Sequence, residues 1–242
     1  MNNATTTKQA LITGASSGIG KATALAFAAE GINLALVSRE SENLEAVVAA
    51  ARKVGVKAEA YPLDLAKIEQ VQSSISAIAT QFGPVDILVN SAGMGYTGSL
   101  TETSLTDWQN VIDLNLTSVW QCILGILPGM RDRKSGIIIN VSSIAGSQVF
   151  PNWGAYCVSK FGLMALSKTL AAEERASGIR VTAICPGSVN TPMWDTDTVQ
   201  ADFDRTAMLT PEIVAQSILH AVQLPASAVI EEITLMSNAG VL

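Results

Sequence analysis

The chain has 242 residues, 48% of them hydrophobic, with a net charge of −6 and a pI near 4.8. That is enough apolar side chain to bury the core of one α/β domain, and the acidic balance argues against a nucleic-acid partner, which needs a basic surface. With three scattered cysteines and a single histidine, His220, no metal site or disulfide framework can be read.

Residues 1–7 form a polar N-terminal tail with no targeting signal, and no stretch reaches the roughly 18 apolar residues of a membrane span. The expectation is a soluble, cytoplasmic protein with no membrane partner. Val- and Ile-rich runs alternate with stretches of helical periodicity, the pattern of parallel strands joined by crossover helices. Strands are predicted over 9–13, 33–37, 57–61, 85–89, 136–141, 179–184 and 230–236. Helical spacing covers 19–30, 42–54, 67–82, 106–130, 154–177 and 211–222. The expected fold is a single α/β domain over 1–242, a Rossmann-type doubly wound sheet of about seven mainly parallel strands with helices on both faces. Residues 188–209, irregular and holding Met193, Trp194 and Phe203 among acidic residues, read as a mobile cover over a pocket.

The first strand runs into Thr13-Gly14-Ala15-Ser16-Ser17-Gly18-Ile19-Gly20, and helical spacing follows at once. Glycines there let the backbone turn sharply and approach a pyrophosphate, while the helix N-terminus offers free N–H groups. About twenty residues on, where an acidic residue would hold the ribose diol of NAD, the chain has Ser38-Arg39. A guanidinium with a neighbouring hydroxyl suits a 2′-phosphate, so NADP(H) is expected; the alternative is that Arg39 pairs with Glu40 or Glu42.

Tyr156 and Lys160 stand one turn apart on a predicted helix, so both share a face. Ser143 closes a predicted strand in Asn140-Val141-Ser142-Ser143, and Asn115 lies upstream in Asp113-Leu114-Asn115-Leu116. Carbonyl reduction needs a proton on oxygen as well as a hydride on carbon. A phenol, whose ordinary pKa is about 10, serves when a nearby cation moves it towards working pH.

With its flanks, the glycine turn resembles the nucleotide-binding motif of the short-chain dehydrogenase/reductase family. Asn90-Ser91-Ala92-Gly93 is similar to that family's N-N-A-G, with Ser91 in place of an asparagine, and Asn115, Ser143, Tyr156 and Lys160 match its Asn-Ser-Tyr-Lys tetrad in spacing and order. The resemblance covers the chain from about Lys8 to its end. It implies that Tyr156 is the general acid/base, that Lys160 lowers its pKa and holds the nicotinamide ribose, and that Asn115 holds a water of a proton relay. Ser143 is placed to hydrogen-bond the substrate oxygen. The cofactor residues it implies are Gly14, Ser16, Ser17, Gly18, Ile19, Gly20, Ser38, Arg39, Asp64 (at the adenine), Leu65, Asn90, Ala92 and Gly93. To these it adds Pro186, Gly187 and Val189, and Thr191 at the carboxamide.

For the substrate, a small-molecule carbonyl compound, Gln148, Phe150, Trp153, Met193 and Trp194 are expected to form a largely apolar wall beside Ser143, suiting hydrophobic ketones over sugars. Among family members the chain looks most like the 3-oxoacyl thioester reductases, in which two basic residues dock an acidic carrier protein. Here the first position is Lys134 but the second is Ser177. Broad-range, NADPH-dependent carbonyl reduction is therefore the first reading and 3-oxoacyl thioester reduction the second. A non-catalytic NADP-binding redox sensor is the third. The resemblance also implies a homotetramer or homodimer formed through the helices of 106–130 and 154–177.

Overall fold

A computed structural model describes residues 7–39, 41–201 and 203–240. All but the last residue of the expected polar tail, together with Glu40, lie outside the described residues. The first half of the chain folds as β1 (Gln9–Thr13), α1 (Gly18–Ala29), β2 (Asn33–Ser38), α2 (Ser41–Lys53), β3 (Ala58–Pro62), α3 (Ile68–Phe82) and β4 (Ile87–Asn90). There follow α4 (Leu105–Ile112), α5 (Ser118–Arg133), β5 (Gly136–Val141), α6 (Gly154–Glu174), β6 (Ile179–Pro186), α7 (Pro211–Gln223) and β7 (Glu232–Leu235).

The strands form one seven-stranded sheet in the order β3-β2-β1-β4-β5-β6-β7, with every pairing parallel. This is the expected Rossmann-type sheet, wholly rather than mainly parallel. Successive strand residues point to opposite faces, which divides the core in two. Ile12, Leu36 and Ile139 pack with Phe27 of α1, Val48 of α2 and Ile218 of α7. Leu11, Val37 and Ile138 face the other way, onto Ile75 of α3, Ile123 of α5 and Leu163 of α6. Both faces being covered, β4 and β5 are buried along their whole length.

Two expectations need correction. The uninterrupted helix foreseen over 106–130 is broken by a π turn at Asp113–Thr117, between α4 and α5. There the Ser118 N–H reaches Asp113 O instead of Leu114 O, and Leu114 O takes the Ser118 hydroxyl at 2.7 Å. One inserted residue is invisible to a 3.6-residue pattern, and such turns concentrate at functional sites. Nor is the chain free of long apolar helix: Leu105–Arg133 carries an 18-residue window of mean hydropathy 1.4, long and apolar enough by composition to cross a membrane. Its apolar face lies on the sheet instead, with Val119, Cys122, Ile123, Ile126, Leu127 and Met130 buried.

Candidate active site

Between β1 and β4 the chain reverses the direction in which it lays down strands, and open α/β sheets bind ligands at such a switch point. The two loops pass each other there in close contact. Gly14 has φ +65°, and a Cβ on it would stand 2.8 Å from the Ala92 backbone. Gly18 also has a left-handed φ, +51°, and faces the Thr191 methyl across the opening. Gly20 has an ordinary φ, but a Cβ there would overlap the Gly14 carbonyl oxygen. Thr13 Oγ1 accepts from the N–H groups of Ser91 and Ala92 at 3.1 and 3.2 Å.

A cleft of about 380 Å³ opens from this point. Its lining brings together the glycine turn, Ser38 and Arg39, Leu65, Ala92 and Gly93, the Pro186–Thr191 stretch, and Ser143, Tyr156 and Lys160. Other residues expected at the cofactor lie behind that lining. Asp64 Oδ1 accepts from the Ala66 N–H at 3.1 Å, shaping the turn that presents Leu65. Asn90 is buried and donates to Asn140 Oδ1 at 2.9 Å, tying β4 to β5, while its own Oδ1 has no partner among the described residues.

Asn115, delivered by the π turn, is fully buried. Its Oδ1 accepts from the Met94 N–H at 2.8 Å, and its Nδ2 donates to Met94 O at 2.9 Å and to Ser159 Oγ at 3.1 Å. Both amide protons are thus committed, one to the loop after β4 and one to α6, so a water here would be held through acceptors. Ser159 in turn donates to Tyr156 O at 2.7 Å. One asparagine therefore sets the position of α6 against the loop that lines the cleft.

Burial raises the Tyr156 phenol to about 12, against a hydrogen bond with Ser143 that lowers it. Burial also depresses the Lys160 ammonium to about 8. Lys160 Nζ donates to Val141 O at 3.0 Å and stands 5.6 Å from the centroid of the Tyr156 ring. The expected lowering of the phenol by Lys160 is not what this geometry gives: the ammonium faces a carbonyl, and desolvation of the phenolate dominates.

At the Tyr156 end the lining is aromatic. Trp153 meets Tyr156 edge-on at 5.4 Å between centroids, Trp194 meets Trp153 at 5.8 Å, and Phe203 meets Trp194 at 5.4 Å. Phe150 and Met193 also line the cleft, and so do Met94, Thr196 and Phe203. Gln148 does not: it lies exposed on the bend after the short Ile144–Gly146 turn, outside the lining. The cover over 188–209 is tied down. Asn190 N–H donates to Leu209 O and Thr97 N–H to Thr198 O, each at 2.9 Å.

The donor set fits a dinucleotide. The first turn of α1 has no acidic residue, and Ser17 at its N-cap makes no side-chain cap bond, so its N–H groups remain for an anion. Ser16 and Ser38 hydroxyls meet at 2.8 Å beside Arg39, and among the described residues no carboxylate pairs with Arg39. In a chain of net charge −6, the described residues that line this cleft include two cations, Arg39 and Lys160, and no carboxylate.

Fold and cleft define a Rossmann-type nucleotide-binding protein. The short chain dehydrogenase family model matches residues 8–202, and the chain belongs to that family of oxidoreductases, whose cofactors are nicotinamide dinucleotides. It is 40% identical over 187 residues to the 3-oxoacyl-[acyl-carrier-protein] reductase FabG of Staphylococcus epidermidis, 77% of each chain. The FabG of Thermotoga maritima is 36% identical over 88% of this chain and 89% of its own. Glycine betaine reductase ATRR of Emericella nidulans is 35% identical over 93% of this chain, which spans only 18% of that much longer protein. Among solved structures, an alcohol dehydrogenase from the archaeon Thermococcus sibiricus, complexed with 5-hydroxy-NADP, superposes with TM-score 0.87 at 30% identity, covering 96% of this chain and 97% of that one. A metagenomic short-chain oxidoreductase in complex with NADP gives TM-score 0.83 at 29% identity, over 96% and 97%.

Proposed function

We propose that this chain is an NADPH-dependent carbonyl reductase acting on hydrophobic ketones or aldehydes, with Tyr156 as proton donor. The observation that carries the reading is a buried tyrosine, one helical turn from the buried Lys160, that lines an aromatic-walled cleft together with Ser143. When bound, the cofactor supplies the hydride to the carbonyl carbon. Ser143 and Tyr156 hold the carbonyl oxygen, Tyr156 delivers its phenolic proton there, and the Lys160 ammonium holds the ribose of the nicotinamide. Ser16, Ser38 and Arg39 hold the 2′-phosphate, and the α1 N-terminus holds the pyrophosphate.

The FabG relatives favour one second reading, 3-oxoacyl thioester reduction. Against it, Lys134 has Ser177 where a second docking cation is needed. Nearby basic side chains are also neutralised, Arg131 by Glu174 and Arg175 by Glu231. Following cofactor absorbance with NADPH or NADH on an aryl ketone, an aliphatic ketone, an aldehyde and an acetoacetyl thioester separates the readings. Turnover of free ketones with NADPH is expected; turnover of the thioester alone would make the second reading the right one.

The same proposal includes a cytoplasmic home, where NADPH and three free buried cysteines are both kept reduced. It also includes a homodimer or homotetramer. Trp120 of α5 and Val158 and Phe161 of α6 are 45, 45 and 41% exposed, an apolar outer surface suited to a second copy. Light scattering of the purified chain reads this directly, and a monomer at all concentrations would refute it.

A further inference from the structure

We infer that Arg205 is a positioning residue that fixes the wall of the cleft over its Tyr156 half, and thereby holds the nicotinamide end of the cofactor; this rests on the dinucleotide reading above. Its guanidinium donates three ways into one short segment: Nε to Asn190 Oδ1 at 2.8 Å, Nη1 to Asp195 Oδ1 at 2.8 Å and Nη2 to Thr191 O at 3.0 Å. Only a planar fork satisfies three acceptors so disposed.

The segment it grips needs support from outside. Pro192–Asp195 is a four-residue 3-10 turn without a side-chain cap, held by a long bond from Trp194 N–H to Thr191 O, 3.3 Å, by Trp194 Nε1 donating to Val189 O at 2.8 Å and by the Thr196 hydroxyl donating to Met193 O at 3.0 Å. Turns of this kind are marginal by themselves. Yet the segment carries Thr191, whose methyl faces Gly18 across the opening, and Trp194, whose ring meets Trp153 beside Tyr156.

Arg205 is itself presented by a built turn. Asp204 Oδ1 accepts from Thr206 N–H at 2.9 Å and from its hydroxyl at 2.6 Å, and the Ser237 hydroxyl donates to Ala207 O at 2.7 Å. The groups that receive the adenosine half, Ser16, Ser38 and Arg39, take no part in this network. Loss of the fork should therefore divide the ligand: its nicotinamide end loses its wall while its adenosine end keeps every contact.

The test measures binding, without turnover, of NADPH and of adenosine 2′,5′-bisphosphate, which lacks the nicotinamide half, to wild type, Arg205→Ala and Arg205→Lys. For Arg205→Ala, NADPH affinity is expected to fall about tenfold, a change of about 1.4 kcal/mol, with bisphosphate affinity within twofold of wild type. Arg205→Lys, keeping charge and length but not the fork, should recover only part of the loss, and it stands in if the alanine variant does not fold. Unchanged NADPH affinity, or equal weakening of both ligands, would overturn the proposal. Wild type that binds NADH in preference to NADPH would overturn the NADP reading instead, and the clamp is then read from NADH against 5′-AMP.

Discussion

Lys160 Nζ lies 5.6 Å from the ring centroid of Tyr156, and burial acts on the pair in opposite senses, raising the phenol to about 12 and depressing the ammonium to about 8. At neutral pH the pair is therefore phenol and ammonium, the protonation state from which a carbonyl is reduced. Towards pH 8 and above, Lys160 loses its proton first. The kcat/KM for ketone reduction, which reports groups of the free enzyme, should fall as pH rises through about 8. A profile flat to pH 9.5 would remove Lys160 from the account.

The same shifts set the pH dependence of stability. Lys160 has a folded pKa below its ordinary 10.5, so its contribution is full above that value and is lost as pH falls through about 8. Tyr156 has a folded pKa above its ordinary 10.0, so its contribution is full below that value and is lost as pH rises through about 12. Over the window from 8 to 10 the folded state binds fewer protons at Lys160 than the unfolded chain, so the contribution of this group rises with pH, while the buried thiols of Cys122 and Cys185, raised from 9.0 to about 12 and about 11, oppose it above about pH 9. The difference in denaturant midpoint between wild type and Lys160→Met should therefore change in favour of wild type as pH rises from 8 to 10.

Arg39→Ala removes the charged partner proposed for the 2′-phosphate. A hydrogen bond to a charged group contributes about 1.5–3 kcal/mol, so the KM for NADPH should increase by about one to two orders of magnitude while that for NADH stays nearly constant. Equal effects on both cofactors would show that Arg39 does not discriminate between them.

Gly20→Ala places a methyl on the Gly14 carbonyl oxygen, in backbone that cannot give way as a side chain can. Overpacking of this kind costs about 1–3 kcal/mol, and it displaces the turn that faces the pyrophosphate. A lowered Tm with weakened cofactor binding is expected. Gly31→Ala is the control for a glycine with open space around it, where a Cβ meets nothing within 4 Å and only its φ of +75° resists.

The sheet was legible because a strand covered on both faces reads as a nearly continuous apolar run, as Ile137, Ile138, Ile139 and Val141 do in Gly136–Val141, and because glycine at 14, 18 and 20 answers a local backbone demand. What escaped was non-local or below the resolution of a periodic pattern. The π turn at Asp113–Thr117 adds one residue to a helix that otherwise keeps its apolar spacing. The contact of Trp194 with Trp153 joins segments distant in sequence. Gln148 belongs to the right loop, but the bend after Ile144–Gly146 turns it to solvent. The direction of the Tyr156 shift depends on burial and on where Lys160 points, and neither is written in a Tyr-x-x-x-Lys spacing.

The most direct test of the central claim follows NADPH oxidation by an aryl ketone in the presence of wild type and of Tyr156→Phe, with NADPH affinity measured for both. The account predicts steady turnover by wild type, a loss of at least about a hundredfold in kcat for the variant from the missing proton donor, and nearly unchanged cofactor binding. Tight NADPH binding by both with equal rates, or with no turnover of any carbonyl by wild type, would contradict it.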